Sequence, residues 1–181
     1  MDETTGPRKP PRVRSMEFIE CDQMMEMVRG GNGEFIQAGK GICLGSMRQI
    51  NLEGLQILCA DLSNKTIVHA AANSDIKVVH LPLRWVGEMR WNGRQIERPS
   101  GIVWGKNAEW SRVASDSCVV TLGLQQDTLF SSLAKWTQQD PEESWWFKGH
   151  ILNRTIETRN LLAKVREVVA LSKSSPEVFD V

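Results

Sequence analysis

Tyrosine is absent from these 181 residues, and histidine occurs only three times. Cysteine is almost as scarce: Cys21, Cys43, Cys59 and Cys118 lie far apart and form no C-x-x-C pair. That leaves no spacing for a zinc ribbon and no dense disulfide framework. Most of these cysteines sit in apolar, strand-like runs, where a reduced, buried thiol is expected, and reduced thiols fit a cytoplasmic setting. Neither sign of charge is in excess: 22 basic residues face 22 acidic ones. A chain that grips DNA or RNA unaided usually carries a basic stripe, so these residues alone are not expected to do so. No apolar run is long enough to span a bilayer, and the polar, proline-rich start is unlike a signal peptide, so no membrane partner is expected. G-x-S-x-G and H-E-x-x-H are missing. Gly39-Lys40-Gly41 lacks the G-K-[ST] ending and following helix of a phosphate loop, so these are turn glycines. No internal repeat appears.

What the sequence does contain is short strands. From Ile76 to Leu124, apolar and β-branched runs alternate with turn signals. Ile76–Leu81 ends at Pro82, and Val86–Trp91 leads into Asn92-Gly93, the strongest short-range hairpin signal because both central residues of its turn need φ > 0. Arg94–Glu97, Ile102–Trp104, Glu109–Val113 and Cys118–Leu124 follow, with turns at Pro99–Gly101, Gly105–Asn107 and Ser115–Ser117. Strands this short and this close suggest a barrel or sandwich rather than βα units. Upstream, Glu34–Ala38, Ile42–Asn51, Leu55–Leu62 and Thr66–Ala71 read as further strands. Cys21–Arg29, with Asp22 as N-cap and Gly30-Gly31 beyond the end, reads as a short amphipathic helix whose methionines fill core space.

After Leu124 the period becomes helical. Leu129, Leu133 and Trp136 share a face of a helix over Gln126–Trp136. Trp145, Trp146 and Phe147 fall in a linker-like stretch and should dock onto the barrel or a partner. Ile151–Ser172 is the longest helical pattern, with an apolar stripe of Leu161, Leu162, Val165, Val168 and Val169. A two-fold antiparallel contact between copies would bury that stripe, so these five residues are the expected dimer interface. Ser174-Ser175-Pro176-Glu177 looks like the start of another helix.

A catalytic or metal site is not expected. His69, His80 and His150 are never spaced i and i+2, as two ligands on one strand face would be. Glu88 and Asp116 stand alone on hairpins. The compositional oddity is tryptophan, seven in all. Trp85, Trp91, Trp104 and Trp110 fall within the barrel stretch. An aromatic cavity with a few polar anchors is how small-molecule pockets are built. The candidate ligand-binding residues are therefore His80, Arg84, Trp91 and Trp104, with core filling as the competing role for any single tryptophan.

Several segments together resemble a known family. They are R-S-M-E-F-I-E-C-D-Q-M-M, then G-E-F-I-Q-A-G-K-G-I-C-L-G-S with G-L-Q-I-L after it, then W-N-G-R-Q-I-E-R-P-S-G-I-V-W. S-S-L-A-K-W and the final S-P-E-V-F complete the set. Their order and spacing resemble the N-terminal cupin-like effector and dimerisation domain of arabinose-operon-regulator (AraC) type transcription factors. The resemblance implies a mainly β fold: a cupin-like, jelly-roll barrel followed by a helical dimerisation segment. It divides the chain into a disordered tail over 1–15, a barrel over 16–124 and a helical linker over 125–181. It implies a homodimer that senses an unknown small-molecule effector without a cofactor, and not an enzyme. Promoter DNA would be reached only through a C-terminal domain that this chain lacks. The alternative is a stand-alone cupin-type enzyme, an isomerase or a dioxygenase.

Overall fold

The computed structural model describes residues 12–26, 32–71, 76–98, 101–104, 109–137, 150–152 and 155–179. Strands dominate, and helices gather at the C-terminal end, as the sequence leads one to expect. The strands are β1 (Val13–Phe18), β2 (Asn32–Gln37), β3 (Gly45–Leu52), β4 (Leu55–Leu62), β5 (Thr66–Ala71), β6 (Ile76–Trp91), β7 (Arg94–Gln95), β8 (Gly101–Trp104), β9 (Glu109–Gln125) and β10 (His150–Leu152). The helices are α1 (Gln126–Thr137) and α2 (Ile156–Ser174). All described pairings are antiparallel and belong to one sheet, in the order β1-β3-β4-β9-β6-β8-β10, with β2-β5 laid along the free part of β9.

Two strands are longer than the sequence implies. Pro82 does not stop β6, which runs unbroken for 16 residues. Pro82 has no N–H to donate, but β8 pairs with β6 only over Val78–His80, and the register against β9 slips directly after Pro82. Proline is tolerated at such bulges. Likewise Ser115–Ser117 is not a turn but the bend in a 17-residue β9, with Asp116 at φ 39. Beyond this bend β9 exchanges one neighbour for another: β5 pairs with Glu109–Ala114 and β4 with Ser117–Leu124. On β6 the matching irregularity lies between Val86 and Arg90 and contains Gly87 at φ 66. Both long strands thus fold over at the same level, which curls the sheet on itself.

The Asn92-Gly93 hairpin is present, with φ of 45 and 76, and Asn92 Oδ1 accepts from Ser111 N at 2.7 Å. Several other boundaries differ from the sequence reading. β1 takes in Val13–Ser15 and pairs with β3, so the sheet begins inside the expected tail. Cys21–Glu26 is a 3-10 segment rather than an α-helix, and residues 27–29 of the expected helix lie outside the described residues. The 3-10 segment buries Met24 and Cys21 against Phe18, Cys43 and Met47, and the Cys21 and Cys43 sulfurs lie 2.6 Å apart. His150–Leu152 extends the sheet instead of opening the last helix. The helix starts at Ile156, capped by Thr155, whose side chain accepts from Thr158 N. Pro176–Phe179 is one 3-10 turn. Trp145, Trp146 and Phe147 lie outside the described residues.

The largest correction concerns α2. Its stripe is not left open for a second copy. Leu162, Val165 and Val169 are buried against Ile50 and Ile57 of β3 and β4, Val79 and Leu81 of β6, and Val120 and Leu122 of β9. Leu161 and Val168 pack on the same cluster. Arg48 Nη1 donates to Ser172 O at 2.8 Å and fastens the helix end to β3. Folding back wins because alternate residues on β3, β4, β6 and β9 make an apolar outer face directly beside the helix. Burying each stripe residue there contributes roughly 1.5–3 kcal/mol.

Leu162→Ala should therefore lower the stability of the whole domain by about 2–5 kcal/mol in urea melts. A variant with an unchanged midpoint and an altered oligomeric state would restore the interface between copies. Gly87→Ala should cost about 1–2 kcal/mol through φ alone, since an added Cβ there would meet nothing within 4 Å. An unchanged melt would mean that the β6 bend does not depend on glycine.

Candidate functional site

The curl brings together residues that are remote along their strands. His80 and Trp91 are both on β6, eleven positions apart, which is about 36 Å in a straight strand. Their ring centroids are 4.8 Å apart. Trp110, near the start of β9, lies 4.7 Å from His80 edge-on and stacks at 4.8 Å on Trp91. His80, Trp91 and Trp110 thus form a compact three-ring cluster inside the curl, next to the buried side chains of Trp85, Met89, Ile102, Ala114 and Val119.

Polar groups surround the rings. In register, Gln49, Leu58, Thr121 and His80 form one rung across β3, β4, β9 and β6. The Thr121 hydroxyl hydrogen-bonds His80 Nδ1 at 2.9 Å. A second rung runs Phe35, Val68, Arg112, Trp91 across β2, β5, β9 and β6. Arg112 is only 4% exposed. Alternation puts it on the same face as Trp110 and Ala114, the lining of the curl. Its Nε has no hydrogen-bond partner, and the Gln49 Oε1, Thr66 Oγ1 and Ser117 Oγ atoms on the same lining are likewise unsatisfied.

Burial, and then the nearby positive charge of Arg112, hold His80 well below the usual imidazole range. At neutral pH its ring is therefore uncharged. Burial pushes Arg112 down to about 10, which leaves it cationic at the same pH. At neutral pH the lining thus presents a neutral imidazole, a cation and two indoles. Among the described residues, no three His, Cys, Asp or Glu side chains gather where they could hold a metal ion.

Of the residues expected at the site, His80 and Trp91 meet. Arg84 does not join them. The shift after Pro82 leaves it on the outer surface, bonded to Asp61 at 2.6 Å and to Asp116. It is about half exposed. These two carboxylates, Asp116 first, raise its pKa. Arg84 instead lines an outer cleft of about 600 Å³ with Phe18, Leu44 and Asp61. Trp104 contributes backbone to β8 opposite Val78, on the strand that carries His80; its side chain lies outside the description. The sequence reading missed Thr121 and Arg112 and did not count Trp110 among the anchors. The alternation of Trp110, Arg112 and Ala114 was the signal available for the last two.

Trp110 also lines a cleft of about 510 Å³ with Gly33, Ala70, Glu34 and Glu109. It therefore borders both this cleft and the ring cluster.

No family model and no curated protein matches the sequence. Among solved structures, the AraC-like transcriptional activator CuxR aligns over 87% of this chain and 68% of its own, at 11% identity and a TM-score of 0.47. KdgF from Halomonas sp. aligns over 51% of this chain and 86% of its own, at 13% identity and a TM-score of 0.38. The plu4264 protein from Photorhabdus luminescens covers 61% and 88%, at 10% identity and a TM-score of 0.33.

The depressed His80 predicts a pH effect with a definite sign. Above pH 6.5 the imidazole is neutral whether the chain is folded or not. Below it, the unfolded chain takes up a proton that the folded chain refuses, so stability falls by up to about 1.4 kcal/mol per pH unit. In urea melts between pH 7 and 5.5, the native protein should lose more stability than His80→Gln. Equal losses would place His80 in a hydrated environment.

Proposed function

We propose that this chain is the ligand-sensing module of a transcription regulator of the arabinose-operon-regulator type, and that the effector binds inside the curled sheet. The observation that carries the reading is the cluster of His80, Trp91 and Trp110 beside the buried Arg112. A core that needed only filling would not require a buried guanidinium beside its rings. Buried polar groups are costly unless they find partners, and four lining side chains here have an unsatisfied polar atom. A ligand with complementary groups would supply those partners. The regulatory half of the proposal rests on the order and spacing of sequence segments that resemble those of that family. Its DNA-reading part would lie outside this sequence, and dimerisation would use a surface other than the apolar stripe of α2.

A panel of small metabolites followed by thermal shift and tryptophan fluorescence tests the reading. At least one compound should raise the melting temperature and change the emission, and Trp110→Phe should weaken that response. No shift with any compound would remove the sensing role, and turnover of a compound would move the chain to the enzyme class.

A further inference from the structure

Building on that reading, we infer that the ligand is an organic monocarboxylate with a flat apolar body, its carboxylate paired with Arg112 and its body lying against Trp91 and Trp110. Among the described residues no carboxylate pairs with Arg112: the salt bridges of these residues join Arg84, Arg90 and Lys164 to their partners. A guanidinium removed from water with no anion beside it is among the most costly groups a fold can carry. Folds keep such groups where a ligand completes the pair, and the guanidinium fork matches a carboxylate in plane.

The surroundings narrow the class. Trp91 is the register partner of Arg112 on β6, and Val68 is its partner on β5. The cation thus sits between an indole and an aliphatic wall. Lys77 is also buried, but it shares the outward parity of Val79 and Leu81 and cannot serve as a second cation for the lining. His80 is uncharged. Arg98 stacks over Trp85 at 4.2 Å and donates to the Trp85 carbonyl, so among the described residues Arg112 is the cation left facing the rings, and a single cation suits one negative charge, not the two of a phosphate monoester. The stacked indoles suit a flat ring or conjugated chain. On the rung that carries His80, the buried Gln49 Oε1 acceptor suits a hydroxyl or amine donor on the ligand.

Benzoate, benzamide and inorganic phosphate serve as probes. Benzoate at millimolar concentration should raise the melting temperature and quench tryptophan emission, while benzamide and phosphate should do neither. Arg112→Gln should weaken benzoate binding at least tenfold, and Arg112→Lys should retain part of it. Without any ligand, Arg112→Met should melt at least as high as the native protein, because an unpaired buried charge has been removed. If benzamide or another neutral compound binds as tightly as benzoate, and Arg112→Gln does not weaken it, the carboxylate assignment is wrong and the sensing role stands. If Arg112→Met unfolds, Arg112 is a structural group and the assignment again fails. If phosphate competes with benzoate at equal concentration, the site selects charge alone and the flat apolar body is wrong. If neither these probes nor any compound of the metabolite panel shifts the protein, both readings fall together.

Discussion

The bend shared by β6 and β9 is the constraint on which the rest of this structure depends. A flat pair of strands this long would place His80 and Trp91 tens of ångströms apart. The slip in register between Pro82 and Arg90, with left-handed backbone at Gly87 and Asp116, folds both strands over together. Bulges add twist and redirect a strand, and here they convert one extended sheet into a curl with an inside and an outside. Below the bend β9 is flanked by β5, above it by β4. Everything chemical in the interior follows from that change of neighbours.

Once the sheet has two faces, its alternating residues have two fates. The outward set, Ile50, Ile57, Val79, Leu81, Val120 and Leu122, is covered by α2, and that contact is plain apolar packing. The inward set is mixed. It combines methionines and tryptophans with His80, Thr121, Gln49 and Arg112, so one face supplies stability and the other carries the unusual polarity. The two roles are coupled through the backbone, since the strands that hold the lining rungs are the ones α2 clamps from outside. Arg48, at 2.8 Å from the Ser172 carbonyl, belongs to this clamp.

Charge is divided in the same way. On the surface, Arg84 bridges two carboxylates in water, where each exposed ion pair contributes about 0–1 kcal/mol. Inside, Arg112 is buried beside an imidazole that its own charge helps keep neutral. Two arginines of the same sheet thus have opposite surroundings, because the bulge after Pro82 shifts the face that one presents while simple alternation sets the other.

Local chemistry determined much of this protein from sequence alone. Asn92-Gly93 made its hairpin because only such residues accept two successive positive φ values, and Leu55–Leu62 and Thr66–Ala71 formed as strands where their β-branched and apolar runs predicted. The stripe of α2 was legible as a buried face, and His80 and Trp91 as interior residues. Tertiary structure alone decided what those faces met. Whether Pro82 ended a strand depended on which edge β8 left unpaired. Whether α2 covered a second copy or its own sheet depended on the apolar outer face that β3, β4, β6 and β9 assembled from distant segments. Arg112 sits between Ser111 and Val113 in an alternating run, and its parity with Trp110 and Ala114 sets the face it shares with them but not how deeply that face is buried. Its environment is made by β5, β6 and the curl, because burial is a property of strands brought together and periodicity a property of one strand.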